Sequence, residues 1–146
     1  MPAPQNYRNH IRRDPVWHFF IVPFLILNLA FAIYDTIHRW PDHRMIFGWW
    51  IVLSIVLLFA VFRARQHSLI VQDRVIRLEE KLRHSALLPP DLLARSQNLT
   101  LSQIIALRFA SDAELPGLIE RAVDQNLTSK QIKESIQSWR PDYLRL

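Results

Sequence analysis

Two stretches of the chain show no amphipathic periodicity because nearly every position in them is apolar. Residues 16–34 (VWHFFIVPFLILNLAFAIY) and 45–62 (MIFGWWIVLSIVLLFAVF) contain no Asp, Glu, Lys or Arg. At a helical rise of 1.5 Å per residue they reach about 28 and 27 Å, close to the roughly 30 Å of a bilayer's hydrocarbon core. Helices apolar on every face need lipid or a large protein core around them. The remainder of a 146-residue chain cannot supply such a core for both. The pattern therefore predicts a transmembrane hairpin. Asp14 before Pro15 reads as N-cap and first helical residue of span one, and Asp42 after Pro41 as the cap of span two. The connection 35–44 is short, so the spans should lie side by side and antiparallel. A cleaved signal peptide is the alternative for the first span, since Arg8, Arg12 and Arg13 precede a run that contains Ala30-Phe31-Ala32. That run continues to Ile37, which favours an uncleaved anchor.

Beyond the second span the pattern becomes periodic. Nothing interrupts a helix from His43 until Ser85 and Pro89-Pro90, which predicts one helix of about 40 residues, roughly 60 Å long, emerging from the bilayer by about 20 residues. Val71, Val75, Leu78 and Leu82 recur at spacings of 4, 3 and 4, while Asp73 with Arg77 and Glu79 with Arg83 form i,i+4 pairs on its outer faces. An apolar stripe of this kind calls for a partner: the chain's own later helices or another subunit. Two heptads are too few to establish a coiled coil.

After Pro90 an eight-residue pattern occurs twice, as QNLTLSQI from Gln97 and QNLTSKQI from Gln125, 28 residues apart. Each copy reads as a helix start. Thr100 and Thr128 are N-caps, Gln103 and Gln131 complete capping boxes, and Leu99 with Ile104, like Leu127 with Ile132, forms a hydrophobic staple. Ser111 to Glu114 suggests a third box. Helices are predicted at about 91–97, 100–110, 112–125 and 128–138, with Pro116 tolerable in a first turn. Ile104, Ile105, Leu107, Phe109, Leu115, Leu118, Ile119, Val123, Ile132, Ile136 and Trp139 supply a small core. The resulting fold class is all-α: a two-helix transmembrane hairpin whose second helix extends into the cytoplasm, followed by a small bundle of short helices. The domains divide as 1–14, an N-terminal cytoplasmic segment; 15–62, the hairpin; 63–84, the protruding amphipathic helix; and 85–146, the helical domain.

Composition narrows the chemistry. With no Cys there is no disulfide, thiolate zinc site or iron–sulfur cluster, and with only Gly48 and Gly117 there is no glycine-rich phosphate loop. The net charge of +5 raises nucleic acid as a partner until its placement is considered. Residues 111–138 hold three basic and five acidic side chains, poor electrostatics for a phosphate backbone, so no nucleic acid is expected. The basic residues instead flank the spans: Arg8, Arg12 and Arg13 before the first and Arg63, Arg65, Arg74 and Arg77 after the second, against Arg39 and Arg44 between them. By the positive-inside rule both termini are expected to be cytoplasmic. Trp17, Tyr34, Trp40, Trp49 and Trp50 lie near the span boundaries as an interfacial belt.

Inside the spans Asn28 and Ser54 are the amide and hydroxyl groups well within the hydrocarbon, and Pro23 removes one helical hydrogen bond. Asn28 should face protein, either as helix–helix glue or as a contact to a pigment, quinone or partner subunit. Of the six His, His18 alone lies in an apolar run, which makes it the candidate axial ligand for a bound pigment or haem, with an interfacial side chain as the plainer role. No ionisable group lies at mid-membrane, which argues against a proton path. His67, Asp73 and Glu80 are the scattered candidates for catalysis, and a solvated helix face accounts for them more simply.

Four segments resemble a family of small uncharacterised bacterial membrane proteins with two spans. They are Gln5-Asn6-Tyr7 with Asn9-His10; Gln72-Asp73-Arg74 through Leu78-Glu79-Glu80; Ile105 through Asp112 (IALRFASD) with Glu114-Leu115-Pro116; and Trp139-Arg140-Pro141-Asp142. The likeness covers nearly the whole chain and implies a hairpin and a bacterial origin, with no activity, cofactor or catalytic residues to transfer. Gln5 to His10 and Trp139 to Tyr143 either tie the termini onto the helical domain or serve as docking tags. The leading expectation is a non-catalytic accessory or scaffold subunit of a larger membrane complex, with a photosynthetic reaction centre or respiratory complex as a host by analogy. It would have no cofactor of its own and would touch pigment or lipid within the complex. The alternative is a stand-alone membrane-anchored adaptor or regulator, whose fragment 90–146 should fold alone. In either case the stripe Val71, Val75, Leu78, Leu82 is the candidate partner surface.

Overall fold

A computed structural model of the chain describes residues 5–7, 9, 14–38 and 43–142. It is helical throughout: a π-helical turn at Trp17–Ile21, then α1 (Val22–His38), α2 (Arg44–Leu87), α3 (Pro90–Ser96), α4 (Leu101–Leu107), α5 (Leu115–Asp124) and α6 (Ser129–Ser135). Among the described residues the extended pairing consists of one antiparallel bridge, Ala110 with Trp139. Two compact units are present, Arg13–Leu69 and the described residues of Met1–Arg12 with Ile70–Leu146, so the division falls within α2.

In the first unit Asp14 caps the entry, its Oδ1 accepting from Val16 N at 3.1 Å and Trp17 N at 3.2 Å. The π-turn that follows has a local cause. Pro23 brings no N–H, and its ring crowds the carbonyl four residues back at Phe19; a widened turn relieves both before regular helix resumes at Val22. Trp17–His38 and Arg44–Leu87 are long and apolar enough to cross a membrane, with most of their apolar side chains facing outward. The expected cap Asp42 and the belt residue Trp40 lie outside the described residues, as do Arg8, Arg12, Arg13, Arg39 and Tyr143.

The second unit follows the repeat. Both capping boxes are complete: Thr100 and Thr128 each accept from the backbone N–H of Gln103 and Gln131, whose side chains return to the N-cap N–H at 2.8 Å in both copies. Each QNLT also ends the helix before it. In the second copy Asn126 takes the left-handed conformation (φ 47°) and Leu127 N donates to Ala122 O at 3.2 Å, a Schellman stop. Equivalent elements of the repeat pack on each other, α4 on α6 and α3 on α5. Gln103 Nε2 of the first copy donates to Leu127 O of the second at 2.8 Å. The core contains the expected Ile104, Leu107, Phe109, Leu115, Leu118, Ile119, Ile132 and Ile136, with Val123 and Trp139 packed against it. Ile105 is half-exposed, and Leu88, Leu99, Ala106, Ala110 and Ala122 join.

Three expectations require correction. Helix α4 ends at Leu107 rather than 110 and α6 at Ser135 rather than 138. The strip 109–111 pairs with 138–140 instead, through Ser111 N to Ser138 O (3.0 Å) and Arg140 N to Phe109 O (2.7 Å). Ser111 to Glu114 is not a capping box: α5 begins at Leu115, and the Glu114 carboxylate accepts from Gln137 N at 2.9 Å and Ser138 N at 3.1 Å. The stripe Val71, Val75, Leu78, Leu82 does not pack on the chain's own later helices. These residues are 49–64% exposed, and the face of α2 turned inward is that of Ile76, Glu80 and His84.

Candidate functional site

That inward face is polar because its charges are answered by partners far away in sequence. Glu80, 4% exposed, lies 3.1 Å from Arg83 NH1 and 3.6 Å from Arg140 NH1. The Arg83 guanidinium reaches across to the α4–α5 corner, donating to Asp112 Oδ1 at 2.8 Å through Nε and to Ala110 O at 2.7 Å through NH2. Arg83 thus turns away from Glu79, with which an outer-face pair was expected. Arg108, buried, lies 3.5 Å from Asp142 and over the Phe109 ring, and Asp142 N donates to Gln5 Oε1 at 2.8 Å. Alternating acids and guanidiniums in this way join α2, the corner 108–112 and the segment 140–142. They line an open cleft of about 790 Å³, with Ile76, Glu79 and Pro141.

Burial governs two titrations here. It raises Glu80 above the ordinary carboxylate range despite the nearby Arg83, Arg140 and Arg108. It lowers His84, with help from the Arg83 charge, to about 4. His84 Nε2 lies 4.0 Å from Glu80 Oε2, too far for a hydrogen bond. Among the described residues no three His, Asp or Glu side chains converge as ligands around a metal ion would.

All four segments that carry the family resemblance meet at this network: Gln5 from the first, Glu79 and Glu80 from the second, Arg108 and Asp112 from the third, Arg140, Pro141 and Asp142 from the fourth. Of these residues the sequence reading singled out Glu80 alone as a candidate for catalysis, and Gln5, Arg140, Pro141 and Asp142 within terminal segments read as ties or docking tags. Among the described residues of the two terminal segments, Asp142 N donates to Gln5, Asn6 and Asn9 bond each other, and Trp139 packs on Phe109 at 5.2 Å; His10 and Tyr143 lie outside the described residues. His67 bonds within α2, 3.4 Å from Arg63, and is not among the residues that line the cleft.

The remaining candidates lie in the hairpin unit. Asn28 Nδ2 donates to Ser54 Oγ at 2.7 Å, Trp50 Nε1 donates to Asn28 Oδ1 at 3.3 Å, and Ser54 Oγ donates to Trp50 O at 2.8 Å. One amide, one hydroxyl and one indole thus satisfy each other between α1 and α2, and Trp50 serves there rather than in an outward belt. His18 Nδ1 lies 2.7 Å from Asp14 O, beside Trp17. Arg65 closes that end of the hairpin, 3.8 Å from Asp14 and over the Trp17 ring. An apolar groove of about 560 Å³ runs along α2 past Ile46, Trp49, Val52 and Val56. Asp35, buried near the end of α1, was not singled out from the sequence.

The chain belongs to the family of unknown function DUF6526, whose sequence pattern matches residues 1–146. No curated protein and no solved structure matches it.

Proposed function

Since membership of that family brings no activity with it, we propose that the protein is a non-catalytic, membrane-anchored scaffold or adaptor of a bacterial inner membrane. The hairpin holds it in the bilayer with both termini cytoplasmic, and the exposed face of α2 is the surface on which it takes up a further protein chain. The observation that carries this reading is the division of labour on α2. One face of its second half is fully used by the helical domain, while the apolar stripe opposite stays 49–64% exposed. A single soluble domain has no use for such a stripe.

The bonds among Asn28, Ser54 and Trp50 favour a self-sufficient anchor, because the hairpin's central polar groups need no second protein or pigment to cover them. Lipid chains suit the groove beside Trp49. The accessory-subunit reading, with a respiratory or photosynthetic complex as host, is the second reading, and the exposed stripe is what favours it. Gentle detergent extraction followed by a native gel and mass spectrometry separates the two. The anchor reading expects the chain to migrate as a small assembly of its own. Co-migration with one large complex in fixed ratio would assign it to that host.

A further inference from the structure

The stripe has a register that selects its occupant. Val71 and Leu78 take the d positions of a heptad, Val75 and Leu82 the a positions, so Arg74 and Lys81 fall at g and Gln72 and Glu79 at e. Arg74, Val75, Leu78, Glu79, Lys81 and Leu82 are all exposed, whereas Ile76, Glu80 and His84, at b, f and c, are buried in the chain's own domain. The outward face is therefore a seam of two heptads with exposed charges on both flanks, Arg74 and Lys81 on one and Glu79, at the rim of the cleft, on the other.

We infer that this seam pairs with the same seam of a second copy of the chain, in parallel and in register. Charge decides the direction. In a parallel pair each g residue meets the e residue five positions on in its partner, which places Arg74 against Glu79 twice by symmetry. In an antiparallel pair g meets g, and the a–d layers then place Arg74 against Lys81, a repulsion between like charges with only Gln72 left opposite Glu79. Core composition does not choose between the directions: Val75 at a and Leu78 at d fit two parallel strands, while Leu82 at a and Val71 at d reverse that pattern, so charge carries the choice. The direction also matches the anchor, on which this inference rests: two copies inserted in one bilayer with one topology hold their α2 helices parallel. Confinement in the membrane raises the local concentration of each seam, so a seam of two heptads suffices where a free peptide would dissociate.

The absence of cysteine from the chain makes the test clean, because any introduced cysteine is the sole thiol. Val75→Cys, Leu78→Cys and, as an exposed control off the seam, Arg77→Cys are made in the full chain and oxidised in native membranes. Half of each membrane sample is extracted with alkaline carbonate. The inference expects covalent dimer from Val75→Cys and Leu78→Cys at about ten times the yield from Arg77→Cys. Adding Arg74→Glu to Leu78→Cys should lower the yield about fivefold, and adding Glu79→Arg as well should restore it. Equal yields at all three positions, a mixed disulfide with a different protein at Leu78→Cys, or no restoration by the charge swap would each overturn the parallel pair while leaving a carbonate-resistant anchor intact. Release of the chain by carbonate would overturn the anchor itself and, with it, the reason for the parallel direction.

Discussion

Asn28 and His84 show how one side chain's surroundings decide what it can do. Asn28 spends both ends of its amide inside the hairpin, on Ser54 and Trp50. Asn28→Leu should therefore loosen the hairpin by about 1 kcal/mol, read as a lower midpoint in a detergent-denaturation titration of the full chain. A pigment or partner contact at Asn28 would leave the midpoint of the isolated chain unmoved. His84 is 3% exposed, and its pKa falls from 6.5 to about 4 because burial and Arg83 disfavour the imidazolium. A depressed folded-state pKa means that the unfolded chain takes up the proton first. The stability from keeping His84 neutral is fully present above pH 6.5 and is lost as pH falls toward 4. Glu80 acts with the opposite slope, since its raised pKa favours the folded state below the ordinary 4.5 and loses that advantage as pH rises through the raised value. Between pH 7 and 5.5 a comparison with His84→Gln isolates the His84 effect from that of Glu80. The denaturation midpoint of the native chain should drop relative to that of His84→Gln as pH falls over that interval; parallel profiles in the two would show that His84 does not titrate in this way.

At the scale of elements, what is local in sequence was legible and what is paired across the chain was not. Both capping boxes and the uninterrupted α2 follow from neighbours within a few residues, and the structure forms them as expected. The ends of α4 and α6 were misplaced because 109–111 and 138–140 hydrogen-bond to each other across almost thirty residues. Glu114 was misread as a cap for the same reason, since its partners are Gln137 and Ser138. The choice left open for α2 shows the same limit. The pattern offered Val71, Val75, Leu78 and Leu82 either to the chain's own later helices or to another subunit; they are exposed, and Glu80 and His84 are inside instead, because Arg83 and Arg140 answer Glu80. Arg108 entered the sequence reading only as a letter in a family resemblance, Asp112 beyond that only in a charge count and Asp142 only in a terminal segment read as a tie or docking tag, and no local signal places them around one cleft. The repeat offers a controlled comparison. Thr100→Ala and Thr128→Ala should each cost about 1 kcal/mol. Gln103→Ala should cost more than Gln131→Ala, because Gln103 is 6% exposed and also holds Leu127 O, whereas Gln131 is exposed. Urea titrations of the four variants check that order, and equal costs for the two Gln substitutions would remove the link between the repeats.

For the whole molecule, the helical domain does not begin where the short helices do. The second compact unit takes in α2 from Ile70, and Ile76, Glu80 and His84 are among its buried residues. A fragment starting at residue 90, which the sequence suggested would fold alone, lacks that wall and should give poorly dispersed amide spectra. A fragment of residues 70–146 should unfold cooperatively; cooperative unfolding of the shorter one would show the stem to be dispensable. Most depends on the hairpin, because the proposed anchor and the parallel arrangement of two copies follow from it, while the proposed sidedness follows from the basic residues that flank it. Single cysteines at Arg44→Cys, where α2 begins, and at Ser138→Cys, in the helical domain, test it directly with a membrane-impermeant maleimide on intact bacterial spheroplasts. Arg44→Cys should react before lysis and Ser138→Cys only after it. Protection of both sites until lysis, or reaction of both in intact spheroplasts, would contradict a chain that crosses the membrane twice and keeps its helical domain in the cytoplasm.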